Sequence, residues 1–183
     1  MVTKDGLMLT WKTQIVMALS LGVLTLVAVQ AQQRTTRTPP VPILTPADYL
    51  QIQQLVARYS YALDTGANNG FDYADLFAPG GSFGSATTRE QLAATARPGG
   101  GHYPRGPQFV FHYTSNHVIE ASPEGATGKV YVVEIDAGEK VLIEDGGHYE
   151  DVYVKTPQGW RFKSRSFIKT KPGTPPANPR PPR

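Results

Sequence analysis

The sequence contains no cysteine. That excludes disulfides, thiolate metal sites and a cysteine nucleophile, so stability must come from a packed apolar core. It also contains no Gly-rich phosphate loop of the nucleotide-binding kind and no spacing cue for a Ser-His-Asp hydrolase. Its longest apolar run, Ile15 to Val29, is about 15 residues, short of the roughly 20 that a spanning helix wants. Charge of one sign is lacking where it would matter. The overall balance is basic, but residues 43–168 hold ten Lys and Arg against fourteen Asp and Glu. The surplus sits in the flanks, at Arg34, Arg37, Lys169, Lys171, Arg180 and Arg183. The foldable part is therefore mildly acidic, which argues against nucleic acid as a partner.

What is present divides the chain. Lys4 and Lys12 precede the apolar run, and Val29-Gln30-Ala31 closes it with the short side chains a signal peptidase reads. Residues 1–31 are expected to be a cleaved signal peptide, with export to the periplasm or the medium and no stable membrane insertion afterwards; a retained anchor is the other reading. Residues 32–42, ending in Pro-Pro-Val-Pro, read as a linker, and 171–183, with six prolines, as a disordered Pro/Arg tail. The domain is expected over 43–170.

Within it, Thr45-Pro46 and Asp48 form a capping box, followed by Ile52, Leu55, Val56, Tyr59 and Leu63 at helical spacing up to Thr65-Gly66. A helical turn is expected around Asp72–Phe77 and a short strand at Phe83. Thr88 to Gln91 makes a second capping box, opening a helix to Ala96. Residues 98–107, rich in Gly and Pro and carrying His102, Tyr103 and Arg105, are long enough for a lid. Strand-like runs follow: Phe109–Glu120, Thr127–Asp136, Val141–Glu144, Gly147–Lys155 and Trp160–Ile168, the last two joined by a turn at Thr156–Gly159. Helices first and antiparallel strands after give an α+β domain.

Strict alternation sorts the strand residues. Val110, His112, Thr114, Asn116 and Val118 fall on one face, and Phe111, Tyr113, Ser115 and His117 on the other. Tyr149, Asp151 and Tyr153 share a face, as do Arg161, Lys163 and Arg165. Each chemical candidate also has a plainer role. Asp64 is a base partner or a cap at the end of its helix. His112 lines a pocket or is a satisfied core histidine. Tyr59 is a proton donor or a packing residue, with Tyr61 as the other tyrosine candidate. Asn116 and Tyr149 are ligand contacts or structural residues. Asp151 and Arg165 are a substrate clamp or a cross-strand ion pair. His117 reads as a surface residue and Trp160 as packing.

The runs Arg58-Tyr-Ser-Tyr-Ala-Leu-Asp64 with Gly66, Leu76 to Phe83, His112-Tyr-Thr-Ser-Asn116, Gly147-His-Tyr-Glu-Asp151 and Gly159-Trp-Arg-Phe-Lys-Ser-Arg165 together resemble SnoaL-like proteins, over most of residues 45–168. The resemblance implies a cone-shaped α+β barrel of the nuclear transport factor 2-like superfamily, with N-terminal helices packed on a curved, mainly antiparallel sheet. Members of that superfamily include polyketide cyclases, scytalone dehydratase and ketosteroid isomerase, and many relatives are not enzymes. In the dehydratases a tyrosine and an aspartate near the end of the first helix and a histidine from the sheet line the pocket. Tyr59 or Tyr61, Asp64 and His112 match those positions. The sequence departs from scytalone dehydratase in showing no second inward histidine.

An aspartate on an imidazole fixes its tautomer and leaves the other nitrogen to move a proton, and a tyrosine hydroxyl can stabilise an enolate oxygen. Such chemistry requires no metal and no cofactor. The expectation is a lyase or isomerase acting on a small, apolar, oxygenated molecule. The alternatives are a non-catalytic module holding such a molecule in the same cavity, and an assembly domain whose exposed sheet makes a homodimer or higher oligomer.

Overall fold

The computed structural model describes residues 40–97, 110–137, 141–171 and 173, without the side chains of Ala137, Leu142 and Glu144. The chain divides after Pro39, and every described residue belongs to the second unit. The expected signal peptide, nearly all of the linker, most of the tail and the 98–107 lid lie outside the described residues.

Helix α1 spans Pro46–Thr65. Thr45 and Asp48 form the reciprocal capping box, and Gly66 ends the helix in the left-handed conformation at φ 57°. The buried stripe Ile52, Leu55, Val56, Tyr59 and Leu63 is the one its periodicity predicts. A 3-10 turn at Ala67–Gly70 and a short helix α2, Phe71–Ala74, follow. The expected helical turn ends earlier than Phe77, because that residue already opens strand β1, Phe77–Phe83. Helix α3, Arg89–Ala96, starts from the Thr88–Gln91 capping box.

The remaining chain is sheet: β2 Val110–Ser122, β3 Gly125–Ala137, β4 Val141–Thr156 and β5 Gly159–Lys169. The two runs expected at Val141–Glu144 and Gly147–Lys155 are one long strand. The order is β1-β5-β4-β3-β2, antiparallel throughout except for the parallel β1–β5 edge. This is the cone-type α+β architecture, with α1 lying on the inner face of the sheet. Among the described residues no helix is long and apolar enough to cross a membrane.

The helix is fastened to the far end of the chain by one side chain. Asp48, 5% exposed, accepts from Trp160 Nε1 at 2.9 Å and from Lys155 Nζ at 2.7 Å while capping α1. The hydrogen bonds of Lys155, Thr45 and Trp160 hold its carboxyl well below the usual carboxylate range. Trp160 is therefore packing, as expected, and also a hydrogen-bond donor.

Two β-bulges correct the alternation read from the sequence. In β2 the pairing with β3 slips between Ser115 and Val118, and Asn116 takes φ 54°. Asn116 is thereby exposed and off the His112 face, whereas His117 turns inward to Tyr153. In β5, Lys163 is the extra residue: Phe162 pairs with Tyr153 and Ser164 with Val152. Arg165 consequently points into the core while Lys163 stays exposed, so the two do not share a face.

Candidate functional site

Helix α1 ends against β2, and Asp64 in its last turn reaches the first residues of that strand. Asp64 Oδ1 lies 2.5 Å from His112 Nδ1, and Oδ2 accepts the His112 backbone N–H at 3.1 Å. One carboxylate thus holds both the main chain and the ring of the histidine, fixing the imidazole's orientation. Across the ladder His112 pairs with Glu134 on β3, whose Oε1 is 3.6 Å from His112 Nε2. The imidazole has no exposed surface, while the Asp64 and Glu134 side chains are 14% and 22% exposed.

The electrostatics follow from this placement. Burial pulls the His112 pKa down, but the bonds to Asp64 and Glu134 and their charges more than offset it, and the group is pushed up to about 9. At neutral pH the ring is an imidazolium between two carboxylates, a proton donor in its resting state. The motif reading misses Glu134. Its signal is there: Val130 and Val132 form the buried face of β3, and two residues further on that face continues into a carboxylate.

The tyrosine candidates separate. Tyr61 is 75% exposed, and no bond joins it to the Asp64–His112 pair among the described contacts. Tyr59 is fully buried, its hydroxyl 3.4 Å from that of Tyr73 and its ring 5.4 Å from that of Tyr149. Burial raises the pKa of both Tyr59 and Tyr149 well above the ordinary phenol value. Tyr149 pairs with Val130 on β3, and the charge of Glu134 further along that strand adds to its raised pKa.

Asp151 and Arg165 are register partners on β4 and β5. The guanidinium bonds the carboxylate through Nε and Nη2, each at 2.7 Å, with both side chains fully buried. Tyr153 donates to the same carboxylate at 2.5 Å and meets His117 Nε2 at 3.1 Å. Gly128 leaves the room for that contact; a Cβ there would come within 3.0 Å of both side chains. The guanidinium also lies 4.1 Å from the ring centre of Tyr59 and 4.2 Å from those of Tyr149 and Phe162. The cross-strand ion pair is thus what the geometry holds, with both side chains sealed from solvent. His117 is the second inward histidine that alternation hides, and burial pulls its pKa down to about 4.

Among the described residues, concavities of about 360, 440 and 460 Å³ are lined by residues other than Asp64, His112 and Glu134. Among the described residues no group of three or more His, Asp or Glu is arranged to hold a metal ion.

A model of the SnoaL-like domain matches residues 45–166. Among solved structures, an NTF2-like protein with a cystatin-like fold from Novosphingobium aromaticivorans is 19% identical, with a TM-score of 0.62 over 70% of this chain and 84% of its own. A candidate scytalone dehydratase from the same organism is 27% identical, with a TM-score of 0.53 over 73% and 93%. A point variant of Rv3472 from Mycobacterium tuberculosis, a protein of unknown function, is 23% identical, with a TM-score of 0.57 over 71% and 79%. No curated protein matches.

Proposed function

The chain belongs to the SnoaL-like domain family, and from that premise we propose that it is a cofactor-free lyase or isomerase acting on a small, apolar, oxygenated molecule. The observation that carries the reading is the 2.5 Å contact between Asp64 and a wholly buried His112 ring. In this reading His112 moves the proton, Asp64 orients it, and Glu134 helps hold it in the charged form. A ring that rests as imidazolium favours chemistry that begins by giving a proton: in a dehydration His112 protonates the departing hydroxyl, which leaves as water, and the neutral ring then takes the proton of the neighbouring carbon as the double bond forms. A double-bond shift uses the same group in both directions. Likeness to a candidate scytalone dehydratase supports dehydration as the first chemistry to try.

The test is incubation of the purified chain with a panel of β-hydroxy ketones and hydroxylated polycyclic ketones, read by mass spectrometry. Loss of one water, or isomerisation at constant mass, is expected. Asp64→Asn should lower turnover by about 10²–10⁴-fold, the scale of a general acid–base contribution. His112→Ala should cost about as much, and the double variant little more, because the two act as a unit. Turnover should fall as pH rises through about 9, where His112 loses its proton. Ligands that bind and return unchanged, with modest losses of retention in both variants, would establish the non-catalytic holder instead.

A further inference from the structure

The outward face of α1 is polar but carries little charge. Its twenty residues carry three charges, Asp48, Arg58 and Asp64. Asp48 is the clasp to Trp160 and Asp64 holds His112, which leaves Arg58 as the helix's one outward charge. Leu50, two turns earlier, is 64% exposed. A helix face facing only water normally carries polar, charged residues.

That face forms one wall of a groove of about 460 Å³. Leu50, Gln54 and Arg58 line it from α1, Leu76 from the segment before β1, and Trp160 and Arg161 from β5. None of its ten lining residues is acidic, although the folded segment as a whole carries more Asp and Glu than Lys and Arg. Arg161 and Gln158 also line the adjoining 440 Å³ concavity, so the channel continues past Arg161. The carboxylate there, Asp75, is already held by Arg89 at 2.6 and 2.9 Å. Gln51, Gln54 and Gln158 add amides that both donate and accept, the pairing a peptide backbone offers.

We propose that this groove docks an acidic peptide segment of a partner protein, with apolar side chains on Leu50 and Leu76 and carboxylates on Arg58 and Arg161. The apolar floor supplies contact area, the two guanidinium groups select charge, and the glutamines satisfy main-chain groups. The groove is built from the outer side of α1 and the β4–β5 turn, so it operates whether or not the His112 site is catalytic.

The test is fluorescence anisotropy of the purified chain with two fluorescein-labelled nonapeptides, one alternating Leu with Glu and one alternating Leu with Lys. The Glu peptide should bind at least about tenfold more tightly, and more weakly as salt rises, as paired charges require. Arg58→Glu and Arg161→Glu should each weaken it by about tenfold, with unfolding midpoints unchanged. Arg58 is exposed, so its reversal keeps the test valid even if Arg161→Glu disturbs the Trp160 turn. Equal binding of the two peptides, no binding of either at millimolar concentration, or indifference to both reversals would overturn the proposal. Dodecanoate bound at the groove in place of peptide would also overturn it.

Discussion

The inner face of the sheet carries two ionic clusters built from similar parts. At one end Asp64 and Glu134 flank His112; deeper in, Asp151 and Tyr153 hold Arg165. They differ in water. Both side chains of the Asp151–Arg165 pair are fully buried, whereas two carboxylates with 14% and 22% of their surface exposed surround the buried His112 ring. Arginine stays charged in any surroundings, so the sealed cluster can only be intact or broken. Histidine can exchange its proton, so the partly open cluster has two states and a route by which the proton leaves. One arrangement orders the core; the other is equipped to act.

The contrast breaks most sharply at Arg165. Arg165→Met should cost about 3–5 kcal/mol in urea unfolding, because Asp151 would remain buried without its cation. Arg165→Met combined with Asp151→Leu should recover much of that loss. If the single variant cost under about 1 kcal/mol, the cluster would not be the dry pair described. Asp64→Asn keeps an acceptor for the His112 amide and should cost less than about 2 kcal/mol.

The next effect is pH. Because the folded His112 pKa is raised above 6.5, its stabilisation is complete below about pH 6.5 and is lost as pH rises through about 9. The difference is on the order of 3 kcal/mol. Urea unfolding at pH 6.5 and pH 10, compared between the natural chain and His112→Gln, isolates it. A slope that survives the substitution would assign the effect to other groups. The Arg165 cluster should show no dependence over the same interval.

Smaller effects probe the sealed cluster's fit. Gly128→Ala pushes a methyl toward Tyr153 and His117 and should cost about 1–3 kcal/mol, the usual range for overpacking. Tyr153→Phe removes one bond to a carboxylate still gripped by Arg165 and should cost about 1 kcal/mol. The ¹⁵N shifts of His117 should move in both variants, while those of His112 should not.

Much of this is legible in the residues alone. The capping boxes at Thr45 and Thr88 begin both longer helices where local hydrogen bonding says they should, and the apolar spacing of α1 selects its buried stripe. The opposition of Asp64 and His112 follows from the family pattern. What fails is alternation across a strand. It assumes two residues per pleat repeat, and a bulge inserts a third, so Asn116 and Lys163 each invert the facing of what comes after. The pairing that brings Glu134 to His112 is a property of two strands together, and no single run records it. The bond from Asp48 to Trp160 is invisible for a similar reason: a capping aspartate looks the same whether or not a distant indole also uses it.

That bond has a consequence for how the chain is made. Its partners lie 112 residues apart, so the N-terminal anchor of the first helix emerges from the ribosome long before the indole that completes it. During that interval the Asp64–His112 bonds can tie the end of α1 to β2, but its start has only its own capping box. The domain is complete only when the last hairpin has been synthesised, and a chain truncated before Trp160 would lack the clasp that holds the start of α1.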